Sequence, residues 1–547
     1  MLWTYKATKI LKKYWKIQSL KEKQYEVINE LLLGNDVIGL LPTGYGKSLC
    51  YLLPPLLTKK TIFIISPLIS LMDDQTDKLL KMDIPCAALH GNNKNKEKEL
   101  FDIIDGDIKI VYMSPEYLIN GDGLELAKTL VESNQLGFLA VDESHCISVW
   151  GQDFRPEYTK VKLFREMFPQ IPILAVTATA TDTVCGDIHK ILQLSNPVLV
   201  RASFDRPNLY LKISEIPTEQ IEEKRPRSIK VTTRQIPKEK LVIPYIDKYP
   251  DEKIIIYTNS RKDCEELAIQ LNKIKKNCCD AYHAGLSKGI REQIQSKFSD
   301  GEIKLIISTI AFGMGIDQIV RCVIIFGSPS SIEEYYQQIG RGGRDDKQCE
   351  TVLYFEYTNL IIAKHMLKNI RFKFPALAKS KENNLNKVSK FVFANTCRRR
   401  FILDYFNEPF CFFTCSNCDN CCETDLVDMT DEFWPIIFKP RTTPENAACE
   451  IKYNYLTEVK HIDKNNKEKQ SELFLLNDIW KWKKYILENK YTQKKLPENI
   501  KFKIPKKFIK KSGENSVKTE EIEINNFEDK INNFEDKIKT FEKLIDL

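Results

Sequence analysis

The residues with the clearest chemical use form a glycine-rich turn that follows a short apolar run at 37–41. Glycines let backbone N–H groups converge on phosphate oxygens, the Lys47 ammonium can reach the β and γ phosphates, and the Ser48 hydroxyl can ligate Mg²⁺. The strict form of this turn has glycine where Leu41 stands, so the match is to a looser Gly-Lys-Ser form. A chance match or a plain helix cap is the alternative. We predict a phosphate site formed by Thr43, Gly44, Gly46, Lys47 and Ser48.

Two adjacent carboxylates, Asp142 and Glu143, follow the apolar residues 139–141. In open α/β sheets ligands bind beyond the carboxyl ends of the strands. In that place Asp142 would bind Mg²⁺ together with Ser48, and Glu143 would orient the water that attacks the phosphate. A carboxylate pair at a helix N-terminus is the alternative, which the upstream glycine-rich turn makes less attractive.

The stretch after the acidic pair is rich in aromatic and charged side chains. Such groups can stack on bases and pair with phosphates, which predicts a contact with nucleic acid. The plainer interpretation is that its Trp and Phe belong to the core, as most do. The residues predicted to bind nucleic acid and to couple it to hydrolysis are Trp150, Phe154, Arg155 and Tyr158.

Four cysteines have the spacing of a zinc site: Cys397, Cys415, Cys418 and Cys421. Four thiolates suit tetrahedral Zn²⁺, and a closed site of this kind is structural because it leaves no open position. Reduced thiols without a metal are the alternative. The three arginines at 398–400 are expected to lie on a helix near DNA phosphates or on an exposed basic face.

Composition excludes some classes of protein. The chain has 547 residues, of which 43% are hydrophobic and 29% charged, as in globular proteins with several domains. The net charge of +7 is too small to discriminate. Sixteen cysteines without a signal peptide indicate a reducing compartment, and no apolar run is long enough for a membrane span. We expect a soluble intracellular protein, nuclear or cytoplasmic.

Motifs along the chain resemble, in combination, those of the RecQ family of superfamily 2 helicases. The matching segments are 66–75, 114–116, 142–158, 177–180, 308–317, 338–345 and the cysteine cluster, so the resemblance spans about residues 15 to 422. It implies an α/β fold with two tandem RecA-like lobes, a small helical zinc-binding module and a divergent C-terminal region. It also implies ATP, Mg²⁺ and Zn²⁺ as cofactors.

The resemblance further implies roles for particular residues. Arg341 and Arg344 would reach across the cleft between the lobes to the γ-phosphate, with Arg344 the preferred arginine finger. Gly315 and Asp317 would contribute to nucleotide binding, and Gln24 would read adenine. Near Gln24 the chain departs from the family, because Lys21 replaces the usual Arg and Ile17 stands at the usual aromatic position.

The implied activity is an ATP-dependent 3′–5′ DNA helicase that translocates on single strands and unwinds duplex or branched DNA in repair, recombination or replication. Two alternatives stay open: an RNA helicase, because discrimination of the 2′-OH is not readable in the sequence, and a DNA-stimulated ATPase that does not separate strands.

Domain boundaries are placed where composition changes. We predict lobe 1 at 1–205, a polar linker or insertion at 206–240, lobe 2 at 241–350, the zinc module at 351–422, a basic region with room for a reduced winged helix at 423–512, and a linker with a short heptad helix at 513–547. The heptads could mediate self-association or bind a protein partner.

Overall fold

The computed structural model describes ten stretches of the chain: residues 2–91, 96–149, 155–225, 228–309, 318–373, 375–394, 396–408, 414–422, 426–428 and 503–505. The last two stretches are short strands, Leu426–Asp428 and Lys503–Pro505, which pair in antiparallel fashion. The rest of the predicted basic region and the heptad helix lie outside the described residues.

Lobe 1 is built on seven parallel strands in the order β3-β4-β2-β5-β6-β1-β7. The strands are β1 (Val37–Leu40), β2 (Thr61–Ile65), β3 (Cys86–Leu89), β4 (Ile110–Met113), β5 (Leu136–Val141), β6 (Ile173–Thr177) and β7 (Val198–Arg201). The helices are α1 (Leu2–Ile10), α2 (Glu22–Leu32), α3 (Lys47–Thr58), α4 (Ile69–Leu80), α5 (Lys96–Ile104), α6 (Pro115–Asn120), α7 (Gly123–Glu132), α8 (Pro156–Thr159), α9 (Lys162–Met167) and α10 (Asp182–Ile191), with a π-helical turn at Leu11–Trp15 and a 3₁₀ turn at Ser144–Ile147.

The strands of lobe 1 are almost continuously apolar because helices cover both faces of the sheet. β1, β2, β4 and β6 are buried at every position, as expected of parallel strands. Side chains that alternate along each strand feed two separate cores, one on each face. The glycine-rich turn follows β1 and the acidic pair follows β5, with only β6 between them. The topology therefore brings these two motifs to the same edge.

Lobe 2 repeats the plan with six parallel strands in the order β12-β13-β11-β14-β15-β8. The strands are β8 (Leu209–Glu215), β11 (Lys253–Tyr257), β12 (Cys279–Tyr282), β13 (Leu305–Ser308), β14 (Val320–Phe326) and β15 (Cys349–Phe355). The helices are α11 (Lys238–Lys248), α12 (Arg261–Ile274), α13 (Lys288–Asp300) and α14 (Ile332–Ile339).

The predicted linker or insertion at 206–240 contains three strands, and residues 209–215 belong to the lobe 2 sheet and not to a linker. Residues 209–215 are β8, an edge strand of the lobe 2 sheet that pairs along its whole length with β15. Two further strands, β9 (Thr218–Arg225) and β10 (Ser228–Gln235), form a separate antiparallel hairpin. In β8 only Leu209 and Leu211 are buried, as is common for an edge strand, so composition alone suggested a linker.

The zinc module consists of α15 (Tyr357–Lys373), α16 (Pro375–Val392), α17 (Arg398–Tyr405) and α18 (Asp419–Cys422). Its buried side chains, among them Phe391, Phe406 and Cys418, belong to the same core as those of lobe 2. The predicted lobe 2 boundary at 350 cuts β15, which continues to Phe355. Among the described stretches, no helix has the length and apolar character needed to cross a bilayer.

Candidate active site

The glycine-rich turn adopts a conformation that few side chains tolerate. Gly44 and Gly46 have φ values of +84° and +88°, in the left-handed region. A Cβ at Gly46 would lie 2.5 Å from Gln24 Nε2, so a larger residue would also collide there. The turn leads directly into α3, whose N-terminal N–H groups favour an anion. Lys47 and Ser48 stand in its first turn, as the phosphate-site prediction requires.

The acidic pair is held by short polar contacts. Tyr51 donates its hydroxyl to Asp142 Oδ2 at 3.1 Å, and the Glu143 N–H donates to Asp142 Oδ1 at 2.9 Å. Lys47 Nζ lies 3.5 Å from Glu143 Oε1. Glu143 has φ of +45°, a left-handed conformation that costs about 1–2 kcal/mol in a residue with a Cβ. The fold thus brings Lys47, Asp142 and Glu143 together, as predicted, and maintains a strained backbone to do so.

The pKa values of the two carboxyl groups are shifted in opposite directions. Burial, and then the charge of Glu143, raise the pKa of Asp142 to about 6. Burial alone would raise the pKa of Glu143 as well, but neighbouring cations, Lys47 first among them, lower it. A buried carboxylate destabilised by its neighbour fits a divalent cation. Asp142 and Ser48 are the residues predicted to hold Mg²⁺, which would neutralise charge on the phosphates there.

A chain of polar contacts runs from the acidic pair to lobe 2. His145 Nδ1 lies 3.4 Å from Glu143 Oε2 and 2.8 Å from Thr177 Oγ1. Thr177 Oγ1 accepts from the Thr179 N–H at 3.2 Å, and Thr179 Oγ1 accepts from Gln337 Nε2 at 3.3 Å. Gln337 belongs to α14 of lobe 2. These contacts therefore connect α14 of lobe 2 with Glu143, the carboxylate expected to orient water.

The two predicted arginines reach the cleft from the loop after α14. Arg341 is close enough to contribute to the lowering of the pKa of Glu143. A Cβ at Gly44 would lie 3.4 Å from Arg344 Cγ, so the Arg344 side chain rests against the phosphate turn. Asp345 pairs with both terminal nitrogens of Arg321, at 2.7 and 2.5 Å, which fixes the end of this loop. Arg341 thus lies near the acidic pair, and Arg344 lies against the phosphate turn.

Gln24 is buried, and its side chain is engaged with the phosphate turn. Its amide nitrogen donates to the carbonyls of Tyr45 and Gly46, at 2.9 and 3.0 Å, and its oxygen accepts from the Lys21 N–H at 2.9 Å. It therefore supports the turn directly. Recognition of adenine by Gln24 stays a prediction.

The coupling loop, residues 150–158, is the segment predicted to link nucleic-acid binding to hydrolysis. The structure describes it only from Arg155 onward. Arg155 donates through its N–H to the Cys146 carbonyl at 2.9 Å, and through Nη1 to the Pro67 carbonyl. Tyr158 is fully buried and donates to the Asp142 carbonyl at 3.3 Å. Tyr158 is thus placed to act through Asp142, and in this position it cannot stack on a base. Trp150, Phe154, Gly315 and Asp317 lie outside the described residues.

The four predicted zinc ligands converge. The Sγ atoms of Cys397, Cys415, Cys418 and Cys421 all lie within 4.8 Å of one another, and those of Cys415 and Cys421 are 4.0 Å apart. Zn–S bonds of about 2.3 Å in a tetrahedron place sulfur atoms ~3.8 Å apart, so the cluster fits the ion. Cys422 is exposed and is not part of the cluster. With four thiolates the ion has a structural role.

The expectation of a DNA-facing or exposed basic face at 398–400 is wrong. Arg398, Arg399 and Arg400 are each about 95% buried. Arg398 binds Asp419 and the Phe391 carbonyl, and Arg399 binds Asp205 and the Leu209 carbonyl. Their charges are used inside the protein, where carboxylates and carbonyls replace water.

Sequence reasoning missed several residues that the site uses. Tyr51 and Gln337 carry no local signal, since each contacts a partner far away in the chain. His145 follows the acidic pair within the matched segment 142–158, but its contact with Thr177 could not be read from the sequence. Arg206 donates to carbonyls of both the phosphate turn and the loop after α14. Its one sequence signal is its position between the two lobes, in Asp205-Arg206-Pro207-Asn208.

Comparisons with known proteins agree with this geometry. The family description DEAD/DEAH box helicase matches residues 21–186, Helicase conserved C-terminal domain matches 237–346, and RecQ zinc-binding matches 360–422. A crystal structure of the DUF1998 helicase MrfA bound to DNA and AMPPNP shares the fold with a TM-score of 0.53 at 18% identity, over 73% of this chain and 56% of that one.

Curated relatives are more similar in sequence. A putative ATP-dependent RNA helicase of Acanthamoeba polyphaga mimivirus is 38% identical over 76% of this chain and 72% of its own length. The ATP-dependent DNA helicase RecQ of Haemophilus influenzae is 37% identical over 76% of this chain and 63% of its own. The ATP-dependent helicase SGS1 of Saccharomyces cerevisiae is 35% identical over 77% of this chain but 28% of its own.

A nucleotide site between two such lobes defines an ATP-dependent helicase of superfamily 2. The cysteine cluster and the relatives narrow the class further: the chain belongs to the RecQ family. The predicted family, two-lobed fold and cofactors ATP, Mg²⁺ and Zn²⁺ are confirmed. The individual site residues stay predictions.

Proposed function

We propose that this protein is an ATP-dependent DNA helicase that translocates on single-stranded DNA and separates duplexes. The observation that carries the proposal is the polar chain from Glu143 through His145, Thr177 and Thr179 to Gln337. Through it, the carboxylate that orients water responds to the position of the other lobe. Hydrolysis and lobe movement are then coupled, which is what a motor requires.

Each lobe contributes part of the hydrolytic site. From lobe 1, the Lys47 ammonium binds the phosphates, Asp142 and Ser48 hold Mg²⁺, and Glu143 accepts a hydrogen bond from the attacking water. Lobe 2 contributes Arg341 and Arg344, whose charges stabilise the transition state when the cleft closes. ATP binding favours closure because both lobes contact the nucleotide.

The coupling loop is the part of lobe 1 that we propose binds single-stranded DNA. The loop follows the 3₁₀ turn Ser144–Ile147. A base that stacks on Trp150 or Phe154 would act on the acidic pair through Arg155, which is bonded to Cys146, three residues after Glu143. The relative from Haemophilus influenzae is described as an ATP-dependent DNA helicase, which supports DNA as the substrate. We extend the proposal, on family resemblance, to 3′–5′ movement and to repair or recombination.

An RNA helicase is the second candidate, because the mimivirus relative is described as a putative ATP-dependent RNA helicase. Single-stranded DNA and RNA of the same sequence separate the two candidates in a steady-state ATPase assay, with Lys47→Ala as the inactive control. Stimulation by DNA alone supports the proposal, and stimulation by RNA alone refutes it. A strand-displacement assay follows; DNA-stimulated hydrolysis without displacement would leave a translocating ATPase that does not separate strands.

A further inference from the structure

The connector between the lobes carries an arginine that touches both sides of the cleft. Residues 202–208 join β7 to β8, and Arg206 projects from them. Its Nη1 donates to the Thr43 carbonyl of the phosphate turn at 3.3 Å. Its Nη2 donates to the carbonyls of Gly342 and Gly343, both at 2.9 Å, in the loop that carries the catalytic arginines. One guanidinium thus bridges three carbonyl oxygens from two lobes.

The loop that carries Arg341 and Arg344 packs closely against its neighbours at two glycines. A Cβ at Gly342 would lie 2.3 Å from Cys349 Sγ, and one at Gly343 would lie 2.4 Å from Asn208 Nδ2. Asn208 also donates to the carbonyls of Gly343 and Lys347, at 2.8 and 2.9 Å. The connector therefore holds this loop at two neighbouring points, through Arg206 and through Asn208.

The connector is itself anchored. Arg399 donates to Asp205 Oδ1 at 2.9 Å, and the Tyr336 hydroxyl donates to the Phe204 carbonyl at 2.8 Å. The Phe204 ring stacks on that of Phe406, with centroids 4.3 Å apart and an interplanar angle of 7°. The backbone that carries Arg206 is consequently held in place. The length of the Arg206 side chain therefore determines how far the phosphate turn lies from the loop that carries Arg341 and Arg344.

We infer that Arg206 is a positioning residue for ATP hydrolysis, which sets the spacing between the phosphate turn and the loop that carries Arg341 and Arg344. A guanidinium can do this because its planar donors satisfy several carbonyls at once. Without it, the carbonyls of Thr43 and Gly342 would lose the guanidinium donor that joins them across the cleft, and the Gly343 carbonyl would keep only the hydrogen bond from Asn208. The catalytic arginines would then approach the nucleotide less often in the productive geometry.

The chain offers a matched control in Arg201, five residues earlier. Arg201 donates to the Phe406 carbonyl at 3.2 Å and pairs with Asp182 at 2.7 Å, so it joins lobe 1 to the zinc module. Neither of these contacts involves the phosphate turn or the arginine loop. A general role in holding the lobes together would appear in Arg201→Ala and Arg206→Ala alike, whereas a positioning role would appear only in the latter.

The test compares Arg206→Ala, Arg206→Lys and Arg201→Ala in the full chain. Basal ATPase gives kcat and KM, and binding is measured for AMPPNP and for ADP with aluminium fluoride, which imitates the transition state. Arg206→Ala should lower kcat about 10–100-fold with KM within about threefold of wild type. Its affinity for the transition-state mimic should fall with kcat, while its affinity for AMPPNP is kept.

Arg206→Lys should recover part of kcat, because one ammonium reaches fewer carbonyls than a planar fork. Unchanged kcat in Arg206→Ala, or equal losses in Arg201→Ala, would overturn the inference, as would an equal fall in affinity for both nucleotides. Should Arg206→Ala not fold, an Arg206→Lys variant with wild-type kcat overturns the inference and one with reduced kcat at unchanged KM supports it. This inference needs only the ATPase activity of the proposed function. A wild-type protein whose ATPase is not stimulated by DNA would therefore count against the proposed function and not against the role of Arg206.

Discussion

Replacement of Thr177 by valine tests whether the polar chain couples the lobes. Valine has nearly the shape of threonine but cannot accept or donate a hydrogen bond. Thr177 is fully buried, and its hydroxyl serves both His145 Nδ1 at 2.8 Å and the Thr179 N–H at 3.2 Å. The variant breaks the chain at its centre while it leaves every charged group of the hydrolytic site in place.

The expected loss in free energy of unfolding follows from those two contacts. Each buried polar group left without a partner costs about 1–3 kcal/mol, and the added methyl group returns about 0.8 kcal/mol. For the two groups together, the net loss in free energy of unfolding is therefore about 1–5 kcal/mol. In a unit of this size each kcal/mol lowers Tm by about 2–4 °C, so the first transition should fall by roughly 2–20 °C.

Thr61→Val is the matched control. Thr61 is also fully buried in a strand of lobe 1, but its hydroxyl has no hydrogen-bond partner within the described stretches. That variant should be neutral or slightly stabilising, since it removes an unsatisfied polar group.

The assay measures ATP hydrolysed per base pair separated, at a temperature where both variants are folded. Thr177→Val should consume several times more ATP per base pair than wild type, and Thr61→Val should match wild type. The reasoning is refuted if Thr177→Val keeps the wild-type ratio despite the expected loss of stability, because the chain would then be a structural feature only.

Three further predictions concern single contacts. Tyr51→Phe removes the hydrogen bond that orients Asp142, and should raise the Mg²⁺ concentration for half-maximal ATPase about tenfold, as Mg²⁺ titration will show. Asp36→Ala leaves Arg165 buried without the carboxylate 2.6 Å away, and should cost about 3–5 kcal/mol in urea unfolding, whereas a loss under 1 kcal/mol would contradict this. Arg321 holds the pKa of Asp345 at about 2, so the pair stabilises the fold above about pH 4 and loses that effect as pH falls towards 2; Asp345→Asn should cost about 1 kcal/mol at pH 7 and nothing near pH 2.

Local signals explain what could be predicted from sequence. Gly44 and Gly46 have left-handed φ values, Lys47 follows them at the start of α3, and Asp142 follows an apolar strand, so their types and order predict a phosphate site. The buried arginines could not be predicted, because the partners of Arg399 lie some 190 residues upstream. Arg206 was missed for the same reason. Polar composition at 206–240 concealed β8, since an edge strand buries only part of its surface.

The residues that anchor the connector are synthesised much later than the connector itself. The connector at 202–208 leaves the ribosome early, but Arg399 and Phe406, which anchor it, are made nearly two hundred residues later. Asn417, between the zinc-binding cysteines, donates to the Pro207 carbonyl at 2.7 Å. Domains usually form in the order of synthesis, yet here lobe 1 can fold early while the cleft cannot. The contacts that anchor the connector are therefore complete only after residue 417 has been made, so we expect the cleft to assemble only once most of the zinc module has been synthesised.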